Sequence, residues 1–360
     1  PGLPISWNKN QYQEGTNEYV AVRPELKKQI EELYRKHPEE ARDSFGEDPF
    51  EVKNILKYWV FSEKPEFHVI PTDTINIHID KDALLRSGIM FPKTIRHLKG
   101  EDLKDAIPDK LYIPLTDIRM LTKVDLLMLE MLANCNWERP LYLAISVGSV
   151  SKLKFDNYFV QEGLAFRFTP FDYKKWGDVG ENRLYAVDVE RLYDNVMNRY
   201  KYGGLDTPGL YLDETTLRTC WYHRRLFAQL AKELIAQGDN ERAKKVLAYA
   251  EQVIPGYNVP ETHESGSYDI ATAYATLGEK TKAVTLAVHL IAEAEDYINW
   301  AFSLKGNRIE MVRNDCIYKF WQWNQYNELL KKIDGEKYKE SNRQFEEKYA
   351  LFAPTMSYKN

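Results

Sequence analysis

A chain of 360 residues with 44% hydrophobic and 29% charged residues has the make-up of a globular protein and room for two domains with substantial cores. A formal net charge of -5 and the lack of a basic stripe exclude a general nucleic-acid binder, which needs clustered Lys and Arg to neutralise phosphate. No apolar run reaches the roughly 18 residues needed to cross a bilayer, and no basic stretch followed by an apolar one opens the chain as in a secretory signal.

The first fifty residues are polar, and Pro24 to about Lys36 is expected to be helical. The opening Pro1-Gly2-Leu3-Pro4, without a Met, reads as an excised fragment or a processed product. A second helix is expected from Pro49 to Phe61, where Phe50, Ile55, Leu56 and Trp59 supply apolar contacts. Phe67, Val69, Ile75, Ile77 and Ile79 then alternate with polar residues, the period of half-buried strands, and Pro71 interrupts them at an edge or a turn. Leu111-Tyr112-Ile113 is a short strand. Thr122 and Asp125 have capping-box spacing, with Asp in place of the usual Glu or Gln, ahead of an apolar helix from Leu126 to Ala133. Pro140 opens a buried strand, Leu141 to Val147. Strand, helix and strand in this order predict a crossover unit with two parallel strands. Gly163 to Phe168 is a further strand, and a helix from Val189 to Tyr200 closes the mixed region.

Beyond about residue 213 the pattern is helical. Phe227, Leu230, Ala231 and Leu234 share one face, Gly238 makes a turn, and Ala243, Leu247 and Ala250 face inward from a second helix that Pro255 ends. This spacing is that of a tetratricopeptide-like helix pair, in which small residues let antiparallel helices approach closely. A second copy places Ile270, Ala271, Tyr274, Gly278 and Ala283 in equivalent positions. The turn glycines lie 40 residues apart instead of about 34, so the connection carries an insertion near Val259 to Gly266. A third pair is expected around Asp315 to Ile333 and Tyr338 to Phe352. The fold class is therefore α+β: a mixed α/β domain over 1–205 and a tetratricopeptide-like helical domain over 206–360. Lys201 to Pro208 is read as the protease-sensitive link between them.

Catalytic signatures are missing. The seven histidines are scattered; His263-Glu264 lacks the second His of a zinc-protease helix, and His68 and His78 have no carboxylate at ligand spacing. No nucleophile elbow, phosphate-binding loop or dinucleotide fingerprint occurs, and Gly177 and Gly180 read as a turn. Cys135, Cys220 and Cys316 are far apart with no CxxC pair, which excludes a disulfide-dense scaffold. No metal and no cofactor is expected. The 24 Tyr, 15 Phe and 8 Trp fill cores, and aromatics also suit sugar and peptide surfaces.

Two clusters are the candidate ligand-binding residues. Asp213-Glu214 precedes a helix holding Arg218, Arg224 and Arg225; it forms either a carboxylate–arginine cluster lining a polar groove, or a helix cap at Asp213 with Arg218 paired to it or to another acid. Trp137-Glu138-Arg139 is either a sugar-stacking rim or a packed loop before a core strand. Asp73-Thr74-Ile75 fits the loose acceptor pattern of bacterial protein O-glycosylation, a match with little specificity.

Several phrases in order carry a resemblance: Pro4-Ile5-Ser6-Trp7 to Gly15-Thr16-Asn17-Glu18-Tyr19; Leu121 to Leu126; Met131-Leu132-Ala133-Asn134 to Asn136-Trp137-Glu138-Arg139-Pro140-Leu141-Tyr142; Glu162 to Arg167; and Tyr211-Leu212-Asp213-Glu214 with the repeat after it. The chain resembles, over essentially its whole length, the C-terminal soluble part of the Bacteroidetes membrane proteins of domain-of-unknown-function family 2723. That family is distantly related to transmembrane protein O-mannosyltransferases. The resemblance implies a parent with a GT-C-type membrane glycosyltransferase domain, whose catalytic carboxylate lies outside this chain, so no catalytic residue is carried over. It implies a non-catalytic accessory domain on the periplasmic face of the inner membrane, tethered through an N-terminal membrane domain absent from this chain. The expected partners are that membrane domain and an acceptor protein or glycan, with no nucleic acid. The other reading is an envelope interaction scaffold independent of sugar transfer, and a third is a hydrolase with a carboxylate pair flanking one cleft.

Overall fold

The computed structural model describes residues 19–64, 67–147, 153, 155–180, 185–304 and 308–356. Pro4 to Glu18, the first phrase of the resemblance, therefore lies outside the described residues. Strands and sheets occupy the first half and helices the second, an α+β chain. It forms two compact units, Pro1–Asp188 and Val189–Asn360.

In the first unit, β1 (Tyr19–Val22) is followed by α1 (Leu26–Lys36), α2 (Pro38–Phe45) and α3 (Val52–Ile55), which widens into a π-turn at Leu56–Val60. Then come β2 (Val69–Ile70), β3 (Thr74–His78), α4 (Lys81–Arg86), α5 (Gly100–Ala106), β4 (Lys110–Pro114), β5 (Met120–Thr122) and α6 (Lys123–Asn134). Next in order are β6 (Tyr142–Ala144), β7 (Phe159–Gln161), β8 (Ala165–Phe168) and β9 (Ala186–Val187). Three small sheets result, in orders β2-β1-β5, β3-β4 and β6-β8-β7-β9. Pro71 ends β2, and the fully buried Thr72 hydroxyl accepts from Thr74 N at 3.1 Å to turn the chain into β3. The core is aliphatic and aromatic: Ile55, Ile70, Ile75, Ile79, Leu84, Ile107 and Leu121 are all but inaccessible, as are Phe171 and Tyr173. Thr74, in the glycosylation-like triplet, is a half-buried strand residue opposite Pro114.

The capping box forms as the spacing implies. Thr122 Oγ1 accepts from Asp125 N at 3.4 Å, and Asp125 Oδ2 accepts from Thr122 N at 2.8 Å. The crossover unit does not form. β4 pairs antiparallel with β3, from Thr74 opposite Pro114 to His78 opposite Lys110, whereas β6 pairs antiparallel with β8 in another sheet. The run after Pro140 is not a buried strand either: only Tyr142–Ala144 is paired, and Tyr142 and Ala144 are exposed. β4 and β6 each satisfy backbone groups with an antiparallel neighbour; the parallel pairs that do form are β1 with β2 and β7 with β9.

The second unit begins with α7 (Val189–Asp194) and a π-turn at Asn195–Arg199. Three helix pairs follow: α8 (Glu214–Ala236) with α9 (Asn240–Val253), and α10 (Ser267–Thr276) with α11 (Lys280–Ser303). After the short α12 (Arg308–Met311), α13 (Arg313–Ile333) pairs with α14 (Gly335–Met356). Gly238 and Gly278 turn the first two pairs at φ +81° and +80°, a region L-residues with a Cβ enter at a cost. Ala231, Ala243, Ala271, Ala283, Ala287 and Ala294 are fully buried, so close helix approach rests on their small size.

Val189 to Leu205 is tied into this helical unit. Arg242 on α9 forks onto Glu190 (Nη1–Oε2 2.8 Å, Nη2–Oε1 2.6 Å) and stacks its guanidinium over Tyr193. The segment 201–208, read from sequence as an open link, is clamped: Asn258 Nδ2 donates to Leu205 O (2.7 Å) and Thr207 O (2.6 Å), and Tyr257 OH to Asp206 O (2.7 Å). Asn258→Ala is expected to raise the rate of tryptic cleavage at Lys201, because the two carbonyls lose their shared donor. Unchanged cleavage kinetics would show that the clamp does not restrain the segment.

Candidate functional site

The first unit holds a cleft of about 360 Å³. Its walls come from elements far apart in sequence: the turn Asp48–Glu51 and α3 with Lys53, the end of β3 with Ile77 and His78, Asp80 beyond it, and Lys110 at the start of β4. The last turn of α6, at Ala133, and the bend Asn136-Trp137-Glu138 complete it.

The bend is the most unusual backbone in the chain. α6 ends when Cys135 N bonds Met131 O, and Glu138 N and Arg139 N both return to Cys135 O. Between them Asn136 and Trp137 adopt φ +46° and +60°, the only positive values among the described non-glycine residues. Asn tolerates the left-handed region, but a Trp there is a strained outlier. Such strain, of order 1–3 kcal/mol per residue, persists only where surroundings over-determine it and clusters at functional sites. Here the Trp137 ring is buried, lies near-parallel to Phe168 with centroids 6.3 Å apart, and donates Nε1–H to His78 O at 2.8 Å. Lys53 Nζ donates to Asn136 Oδ1 at 2.9 Å and fastens the other side.

Charges in the cleft are unevenly matched. Lys110 pairs with Asp48 Oδ2 at 2.5 Å, and Phe50 N donates to Asp48 Oδ1 at 3.0 Å. Burial works against the Asp48 charge, but Lys110, the Phe50 N–H and Asn76 outweigh it and hold the carboxyl below its usual range. Asp80 caps α4 by accepting from Ala83 N. Glu51 and Glu138 also line the cleft and make no ion pair among the described residues. A glycosidase-type acid needs a carboxyl kept protonated near neutral pH; the perturbed carboxyl in this cleft goes the other way. No group of three His, Cys, Asp or Glu able to hold a metal occurs among the described residues.

The candidate residues are distributed over both units. Trp137 and Glu138 line the cleft, but the Trp137 ring is packed inward and offers no sugar-stacking face; Arg139 is exposed beside them. Asp213, Glu214 and Arg218 belong to the helical unit. Asp213 caps α8, accepting from Thr215 N (2.9 Å), Thr216 N (3.1 Å) and Thr216 Oγ1 (2.7 Å). Arg218 pairs with Glu214 one turn away, both exposed. Arg224 turns into the core and Arg225 donates to Glu264 O. These arginines are thus dispersed over separate partners.

The Asp213 cap makes a pH prediction. Bonds from the Thr216 hydroxyl and N–H, with that of Thr215, hold its pKa below the usual carboxylate value. A depressed folded-state pKa contributes stability above the unfolded value of about 4, lost as pH falls through the lower folded value. The advantage of the native chain over Asp213→Asn in thermal melts is expected to shrink below about pH 4. A difference constant from neutral to acid pH would show that the carboxylate charge adds nothing to the cap.

The helical unit also exposes an aromatic ledge that the sequence reading missed. Tyr318 and Trp321 on α13 lie parallel within 11° at 5.6 Å and are 45% and 48% exposed. His263 stands edge-on to Trp321 at 5.5 Å and its Nδ1 meets Tyr326 OH at 3.0 Å. The signal was present in the spacing: residues 316, 320, 323, 326 and 330 form the buried stripe of α13, and Tyr318 and Trp321 fall off it. Cys135, Cys220 and Cys316 are free and buried, and burial pushes each thiol pKa up, away from reactivity.

No helix of the described residues is long and apolar enough to cross a membrane. Compared with known proteins, one family model, described as TMEM260-associated domain 2, matches residues 1–190, just over half of the chain and the whole of the cleft. No curated protein and no solved structure matches.

Proposed function

Because the chain belongs to the TMEM260-associated domain 2 family, we propose that it is a non-catalytic accessory domain of an O-mannosyltransferase-related membrane protein, one that binds or presents the acceptor protein or glycan. In this reading the parent carries a GT-C-type membrane domain that performs the transfer. The 360 residues sit on its extracytoplasmic side, the periplasm in a Bacteroidetes cell of the family-2723 type. The helix pairs would work as a tetratricopeptide-like array, a shape that commonly carries extended ligands.

The observation that carries the reading is the cleft on the family-matched segment. It is built on a strained bend and lined by carboxyl and amino side chains, with the Asp48 carboxyl held below its usual range and, among the described residues, no group of three His, Cys, Asp or Glu able to hold a metal. The test is twofold: calorimetry of the purified chain against acceptor-like peptides and a glycan panel, and sugar transfer in cells whose parent protein lacks these residues. Saturable binding and impaired transfer are expected; no binding together with unimpaired transfer would remove the proposal. The exposed Tyr318–Trp321 ledge favours a second reading, an envelope interaction scaffold, since large exposed aromatics are over-represented at interfaces. Stable co-purification of one envelope protein with the chain, lost on Trp321→Ala, would favour it.

A further inference from the structure

We infer that the cleft of the first unit receives a basic side chain, lysine or arginine, of a polypeptide ligand; this rests on the acceptor-binding reading above and narrows it to protein. The charge balance points there. Four carboxylates, Asp48, Glu51, Asp80 and Glu138, line the cleft against two ammonium groups, Lys53 and Lys110.

Lys110 is neutralised by Asp48, and Lys53 donates to the neutral Asn136 amide oxygen and keeps its charge, so the four carboxylates still outnumber the two ammonium groups of the lining. Asp48 and Asp80 are likewise committed, to Lys110 and to the α4 cap. Glu51 and Glu138 remain without an ion pair among the described residues, and they set the negative potential that a cation would meet.

The rest of the lining suits the stem of such a side chain. Ile77, Ala133 and Trp137 supply apolar lining, against which the methylenes of Lys or Arg pack while the charged head reaches the carboxylates. A neutral sugar fits less well, because the indole in the lining is stacked inward on Phe168 and its N–H is spent on His78 O. The strained bend places Glu138 immediately after Trp137, so ring burial and carboxylate position are set together.

The experiment follows the indole N–H signal of Trp137 by NMR in the full 360-residue chain, assigned by its loss in Trp137→Phe. The bond from this group to His78, a lining residue, makes it a reporter of the cleft. The probes are a blocked Gly-Ser-Arg-Ser-Gly peptide, its Gln counterpart and inorganic phosphate. The arginine peptide is expected to shift the signal saturably and more weakly at high salt, with affinity reduced about tenfold or more in the double variant E51Q/E138Q. Equal shifts from the Gln peptide, a shift from phosphate alone, or an E51Q/E138Q variant with native affinity and an unchanged melting curve would each overturn the assignment. Failure here with transfer still dependent on the domain removes only the basic-side-chain assignment. Binding here with transfer independent of the domain keeps the cleft's ligand and removes the accessory reading.

Discussion

Trp137→Ala is expected to lower the stability of the first unit by about 3–5 kcal/mol, the range for removing a buried aromatic ring, and to lower its melting temperature by about 10 °C. Three losses combine. The ring leaves a cavity beside Phe168, His78 O loses its donor at 2.8 Å, and the bend keeps a Cβ at φ +60° without the buried ring that helps hold it there. Two companion variants separate these terms. Trp137→Phe keeps one aromatic ring but loses the hydrogen bond and the smaller ring of the indole, so it should retain more of the stability, at a cost of about 1–3 kcal/mol. Trp137→Gly removes the ring but accepts the left-handed backbone, and should be more stable than the alanine variant by about 1 kcal/mol. Urea melts of the three variants check the order Phe, Gly, Ala. An alanine variant that melts with the native chain would mean that the ring does not hold the bend.

Arg224→Met is expected to cost the helical unit about 3 kcal/mol, close to the loss of a charged multi-donor group whose acceptors are left buried. Arg224 rises from α8 into the connection between the two first helix pairs and is 3% exposed. Its Nη1 donates to Pro260 O (2.8 Å) and Ser265 Oγ (3.2 Å), and its Nη2 to Ile254 O (3.0 Å) and Val259 O (2.6 Å). One guanidinium therefore organises the insertion that lengthens the spacing between the turn glycines. Methionine matches the length and apolar volume but takes the guanidinium donor from the carbonyls of Ile254, Val259 and Pro260, whereas Ser265 Oγ keeps the Thr262 N–H. Lysine should not rescue, since a single ammonium cannot reproduce the planar fork. Thermal melts are expected to show a loss of about 6–12 °C for the methionine variant, with proteolysis appearing first within 254–265. A methionine variant as stable as the native chain would show that the insertion orders itself.

Much of the local structure was legible in the residues. The Thr122–Asp125 box, the glycine turns at 238 and 278, and the buried alanines of the helix pairs follow from short-range rules in which each residue meets neighbours three or four positions away. The helices at Leu26–Lys36 and Arg313–Ile333 lie where periodicity placed them. Trp137 and Glu138 were singled out by sequence, and both line the cleft; what sequence could not show was that the ring is buried against Phe168 while Glu138 stays exposed.

Only the tertiary structure decided which strands pair and what each charge meets. β4 and β6 read as the two strands of one crossover, yet they lie in separate sheets, because strand partners are chosen by long-range backbone pairing that an apolar run does not encode. Asp48 and Lys110 are 62 residues apart, Lys53 and Asn136 83, and Arg224 and Pro260 36. None of these pairs falls on a period. By itself the sequence determined helix, cap and turn, where the energy is local. The cleft, its two glutamates without an ion pair among the described residues and the strained bend depend on distant segments brought together by burial of the apolar core, which is non-directional and leaves such pairings to the fold.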